Sequence, residues 1–162
     1  MATVVVVGGG YGGAAAAKAL DEIADVVLVE PKDAFVHNIA ALRGLVDPDW
    51  TERIFYPYDR LLRNGRVIHD RAARVDADAV ILGSGERIEA DYIVLASGSA
   101  YPFPAKMDTH DSNTAKSRIA NTRAELIKAE RVLLLGAGPV GLELSGEIKA
   151  AWPDKAVTII DP

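Results

Sequence analysis

The hydrophobic residues of this chain fall in short blocks, and several of these blocks end at a glycine or an acid. Residues 3–7, TVVVV, are all β-branched and run straight into GGGYGG. A strand with one wet face would alternate apolar and polar. A block with no such alternation predicts a strand buried on both faces, hence a parallel sheet. YGGAAAAKALDEIA (11–24) predicts a helix whose alanines let it lie close to that sheet, and DVVLVE (25–30) predicts a second buried strand. Strand, glycine turn, helix and strand make a βαβ unit.

From Pro31 to Arg63 the pattern is mixed and predicts loops and short helices. AVIL (79–82) and ERIEA (86–90) flank a GSG turn and predict a hairpin. DYIVLA (91–96) is another buried strand, and the prolines at 102 and 104 mark a boundary or hinge. Residues 113–129 form a helix, with Ser112 or Asn113 as its cap. RVLLL (131–135) opens a second βαβ unit, and Pro139 suits the first turn of its helix. That helix stops near Trp152, before Pro153, and AVTIID (156–161) follows as a strand. The expected fold is therefore α/β: a Rossmann-like parallel sheet with helices on both faces and a small β-meander, and a second Rossmann unit only begun. The expected division is 1–104 for a first nucleotide-binding domain and 105–162 for a linker plus the first βαβ of a second.

Composition narrows the chemistry. A net charge of −5 argues against a nucleic-acid partner, since phosphate backbones call for a basic surface. The chain has no cysteine, which removes disulfides, zinc-thiolate sites and thiol nucleophiles within these residues. No apolar run reaches the roughly 18 residues of a spanning helix. A cytoplasmic location is the default expectation.

The chemistry sits in two glycine motifs. Gly8-x-Gly10-x-x-Gly13 follows a strand and opens a helix. The first glycine permits the tight turn, the second admits a pyrophosphate, and the third lets helix and strand pack closely. The helix N-terminus then directs free N–H groups at the anion. An acid should close the next strand about 20 residues on, to hold ribose hydroxyls, and Glu30 stands there. Gly136-x-Gly138-x-x-Gly141 repeats the arrangement, with Asp161 as its acid. A carboxylate there accepts from a free ribose 2′-OH and repels a 2′-phosphate, which favours NADH over NADPH. Two nucleotide folds in one chain suggest a flavoenzyme that takes hydride from a nicotinamide.

The stretches VVVVGGGYGG, IVLASGS and VLLLGAGPVGLELSGEI resemble the two-dinucleotide-binding flavoprotein reductases, the pyridine nucleotide-disulfide oxidoreductase superfamily. EPKDAFVHNIAALRGLVDP, and above all its His37–Arg43 core, is similar to the ferroptosis-suppressor, AIF-like branch, which is related to the type II NADH dehydrogenases. YPFPAK and EIKAAWPDKAVTII resemble the same branch. The resemblance implies FAD on the first motif, at Gly8, Gly10, Tyr11, Gly12, Gly13 and Glu30, and NADH or NADPH on the second, at Gly136, Gly138, Pro139, Val140, Gly141 and Asp161. LASGS is similar to the family's LATGS, with Ser97 in place of threonine, and adds Ala96, Ser97 and Gly98 to the cofactor set.

Further assignments are implied by the resemblance and keep a plainer alternative. Lys32 falls at the rim of the adenosine ribose or is a solvated lysine. Ala73 falls where such enzymes contact adenine through backbone. Arg43 approaches the flavin or its pyrophosphate, or pairs with Asp47. His37 lies near the flavin, where it handles a proton or orients substrate, or makes one structural hydrogen bond. Glu143 reaches toward nicotinamide and flavin, or is an exposed helical glutamate. His69 and His110 lack motifs and read as structural.

Relatives of the disulfide type carry a redox cysteine pair, and NIAALRGLVDP has none. Electrons would pass directly to an acceptor, which in the resembling branch is a quinone. Family members continue well past this length, so the chain resembles an N-terminal fragment. The resemblance leaves peripheral membrane contact and a homodimer open. Two other readings compete: an AIF-like nucleotide-binding signalling module without turnover, and a simple NAD dehydrogenase with NAD on the first motif.

Overall fold

In the computed structural model, which describes residues 1–161, β1 (Thr3–Val7) leads through Gly8–Gly10 into α1 (Tyr11–Leu20). Next come β2 (Asp25–Val29), β3 (Ala34–Val36) and the short helices α2 (Asn38–Ala41) and α3 (Pro48–Thr51). β4 (Phe55–Pro57), a 3-10 turn at Tyr58–Arg60, β5 (Arg66–Ile68) and β6 (Ala72–Val75) follow. The chain continues through β7 (Ala79–Leu82), β8 (Arg87–Glu89), β9 (Tyr92–Leu95) and α4 (Ser112–Lys128). It ends in β10 (Arg131–Leu135), α5 (Pro139–Ala151) and β11 (Ala156–Ile160).

Two compact units emerge, one from Met1–Phe35 with Tyr56–Ala100, the other from Val36–Phe55 with the residues from Tyr101 onward. What the linear pattern does not convey is that 36–55 groups with the later residues.

The first unit is built on a parallel sheet in the order β5-β2-β1-β9. Its central strands are apolar from Val4 to Val7 and from Val26 to Val29 because both faces are covered there. Val4, Val6, Val26 and Leu28 pack with Ala17 of α1 and with Tyr58. Val5, Val27 and Val29, on the opposite pleat, pack with Val80, Leu82 and Ile88. That second cover is the antiparallel meander β6-β7-β8, which contains the expected hairpin; here it does the work of a helix layer. Alanine at position 17 is fully buried, as close helix–sheet packing requires. α1 ends earlier than the pattern predicts, because Asp21 turns back to the 63–65 backbone.

In the second unit, β10 and β11 pair in parallel and α5 connects them. Asp111 caps α4 by accepting from Thr114 N at 2.6 Å, one residue ahead of the expected Ser112 or Asn113. Arg123 of α4 donates to the Gly44 carbonyl at 2.8 Å and to Thr51 Oγ1 at 3.1 Å, tying α4 to the 42–51 segment.

Candidate functional site

The two glycine loops have one geometry. Gly8 has φ +101° and Gly136 has φ +104°, values that only glycine adopts without strain. Gly8 N donates to Val29 O at 2.9 Å, and Gly136 N to Ile160 O at 2.7 Å. Each loop is thereby hung on the strand that follows its helix. Gly10 (φ −69°, ψ −167°) and Gly138 (φ −69°, ψ 176°) are the N-caps of α1 and α5. Neither cap is closed by a side chain, and neither helix has an acid in its first turn. α4, by contrast, is closed by Asp111. The uncapped N–H groups suit an anion.

A methyl group at each glycine tests the fit to a dinucleotide. At Gly10, Gly12 and Gly138 it would meet nothing within 4 Å, so the outer face of each loop is clear. At Gly13 it would run into the Gly8 carbonyl oxygen, and at Gly141 into that of Gly136. At Gly8 it would run into the Ala96 carbonyl, which places the Ala96–Gly98 segment against the first loop. The residues present fit a pyrophosphate at both loops. Tyr11 and Gly12 are exposed on the first turn of α1. In the second unit a cleft of about 540 Å³ is lined by Gly136, Gly138, Val140 and Gly141 together with Leu133 and Tyr101.

Each acid closing its second strand holds the loop amide. Glu30 is buried at 7% exposure and accepts from Gly9 N at 2.6 Å and Lys32 N at 3.0 Å. Asp161 accepts from Ala137 N at 2.8 Å. A carboxylate has about four acceptor positions, so these bonds leave room for ribose hydroxyls. Lys32 is half-buried and fixed through its backbone, its carbonyl lying 2.8 Å from His69 Nδ1. His69 is thereby tied to the Lys32 backbone. Ala73 is exposed at the bulge between Ala72 and Arg74 of β6, a place where backbone polar groups leave the ladder.

Arg43, His37 and Glu143 lie in the other unit. Of the two alternatives for Arg43, the pairing with Asp47 does not form. Arg43 donates to Glu147 at 2.9 Å, and its guanidinium sits 5.1 Å from the Trp50 ring. The hydrogen bond and charge of Glu147 raise its pKa, with Asp47 and Glu143 adding smaller effects. Asp47 instead caps α3 by accepting from Asp49 N at 3.0 Å. Glu143 is exposed on α5, and the backbone of His37 donates to Ile54 O at 2.8 Å.

The motif did not reveal Tyr58 or the role of Gly9. Tyr58 is 4% exposed, and its hydroxyl donates to the Gly9 carbonyl at 2.8 Å. Burial, helped by the charge of Glu30, pushes the phenol's pKa up, so it remains a donor. No signal near Tyr58 marks it, since its partner lies 49 residues away.

Among the described residues no group of histidine, cysteine or acid is placed to hold a metal ion, and no helix is long and apolar enough to cross a membrane.

This chain is similar to known proteins in sequence and in fold. Ferroptosis suppressor protein 1 of Taeniopygia guttata is 37% identical over 97% of this chain and 43% of its own length. Apoptosis-inducing factor homolog B of Dictyostelium discoideum is 34% identical over 94% of this chain and 40% of its own length. The chain thus spans less than half the length of these relatives. Among solved structures, the sulfide:quinone oxidoreductase of Aquifex aeolicus aligns with TM-score 0.72 and 25% identity over 99% of this chain and 43% of that one. NDH2 of Plasmodium falciparum, solved with NADH, aligns at TM-score 0.65 and 16% identity over 98% of this chain and 41% of that one, a likeness of fold. The profile of the pyridine nucleotide-disulphide oxidoreductase family matches residues 2–162, so this chain belongs to that family.

Proposed function

We propose that the protein containing this chain is an FAD-dependent NAD(P)H oxidoreductase that passes electrons to a quinone without a redox disulfide. The observation that carries the reading is the doubled loop: two uncapped helix N-termini, two jammed third glycines and two acids bonded to loop amides. Bound FAD would supply the two-electron chemistry that links a reduced nicotinamide to the acceptor. The nicotinamide gives up a hydride, and the quinone gains two electrons and two protons, one of them from solvent.

The chain's residues bind and orient. Gly10–Gly13 would receive the FAD pyrophosphate and Glu30 its ribose; Gly138–Gly141 and Asp161 would do the same for the nicotinamide nucleotide. The carboxylate of Asp161 favours a free 2′-OH, hence NADH. His37 is the candidate for proton handling at the acceptor, and Glu143 for contact with the nicotinamide. A chain without cysteine has no thiol relay, which supports direct delivery to the acceptor. The quinone assignment follows the named substrate of the Aquifex aeolicus enzyme. A peripheral membrane contact is a further part of this reading.

The test is to purify the full-length polypeptide, record the flavin absorbance, and follow NADH and NADPH oxidation with a soluble quinone. Flavin together with quinone-dependent turnover is expected. Absence of both defeats the reading. A flavin that NADH reduces and no quinone reoxidises would favour a nucleotide-binding signalling role instead.

A further inference from the structure

The first loop is held at a residue the motif leaves unspecified. Gly9 is buried and gripped from two sides. Its N–H donates to Glu30 Oε2 at 2.6 Å, and its carbonyl accepts from Tyr58 Oη at 2.8 Å. A Cβ at this position would stand 2.6 Å from the Tyr58 oxygen and 2.9 Å from Glu30 Cγ, so the clamp closes only on glycine.

The carbonyl of Gly9 and the N–H of Gly10 belong to one peptide group. That group is planar and trans, so the two bonds point in opposite directions. A hydroxyl that draws the carbonyl inward therefore turns the Gly10 N–H outward. Outward is where the loop is clear: a Cβ on Gly10 meets nothing within 4 Å, and the Gly10 N–H makes no hydrogen bond among the described residues. Tyr58 itself belongs to the buried cluster that holds Val4, Val6, Ala17 and Leu28. The anchor thus reaches from the sheet core to the peptide that faces the ligand.

We propose that Tyr58 is a positioning residue for the dinucleotide bound at the first loop, its hydroxyl orienting the Gly9–Gly10 peptide so that the Gly10 N–H meets the pyrophosphate. This rests on the reading of Gly8–Gly13 as a dinucleotide site. It adds a residue from outside the βαβ unit, on the segment between β4 and β5, to the machinery of phosphate recognition. A pre-aimed donor strengthens binding because its orientation is not acquired when the ligand arrives.

Tyr58→Phe keeps the ring and removes only the hydroxyl. In the full-length polypeptide, the FAD dissociation constant should rise about five- to tenfold, the loss expected for one hydrogen bond. The 31P resonances of the bound pyrophosphate should move. Amide exchange at Gly9 and Gly10 should quicken while Val5 and Val27 keep their protection. An FAD affinity within twofold of the parent, or a loss matched by lost protection at Val5 and Val27, overturns the inference. On the unmodified protein, addition of ADP should displace the Gly10 amide resonance, and an unmoved resonance overturns it as well. An unmodified protein that binds no FAD defeats the functional reading itself. Parent and Tyr58→Phe proteins that bind FAD equally defeat only the role of Tyr58.

Discussion

Three glycines per loop meet three different constraints, and substitutions separate them. Gly10 has an ordinary φ and open space beside it, so Gly10→Ala should leave the melting temperature nearly unchanged while sharply weakening FAD. Gly13 has no space, since its Cβ would run into the Gly8 carbonyl. Gly13→Ala should cost at least the roughly 1–3 kcal/mol typical of overpacking and lower the melting temperature by several degrees. Thermal melts and flavin titrations of the two variants check the contrast; equal melts would contradict it. At this scale the sequence was informative about the glycines, Glu30 and Asp161, because their spacing follows from local geometry. It was silent on Tyr58 and on the partner that Arg43 finds. Proximity in sequence suggested Asp47, yet a helical turn from 104 positions away delivered Glu147.

Elements are joined by groups that local pattern does not expose. Asp21, buried at 4% exposure just past α1, accepts from the backbone N–H groups of Arg63, Asn64 and Gly65, at 2.6 Å for the first and 2.7 Å for the last. These bonds, the Arg63 N–H foremost, lower its pKa below the ordinary 3.8. A carboxyl with a depressed folded pKa stabilises the fold fully above its unfolded value, and that contribution is lost as pH falls through the folded value. Asp21→Asn should therefore reduce the urea midpoint at pH 7. The gap from the parent should narrow as pH drops below 3.8. A gap that stays constant down to pH 2 would count against this assignment. Element types were legible where β-branched blocks, alanine runs and glycine turns mark them, but not at β3, β4, β5 and β6. The ends were less so: α1 stops at Leu20 because of Asp21, and α4 begins at the Asp111 cap. The short strands β3, β4, β5 and β6 carry too few residues for a periodicity to register.

Across the molecule, the strands of the two units differ in what covers them. β1 and β2 are sealed on both faces, whereas β10 and β11 alternate exposed and half-buried positions. Leu133, Leu135 and Ile160 are exposed at 57%, 81% and 53%. The register sets Leu135 opposite Ile160, so these residues form a continuous apolar row. The α/β class, the two glycine loops and their acids were already legible along the chain, since each depends on residues close in sequence. Tertiary structure alone decided that residues 36–55 leave the first unit, that Arg43 pairs with Glu147, and that Tyr58 reaches Gly9. Those are contacts between distant positions, and only chain closure into a packed core brings their partners within bonding distance.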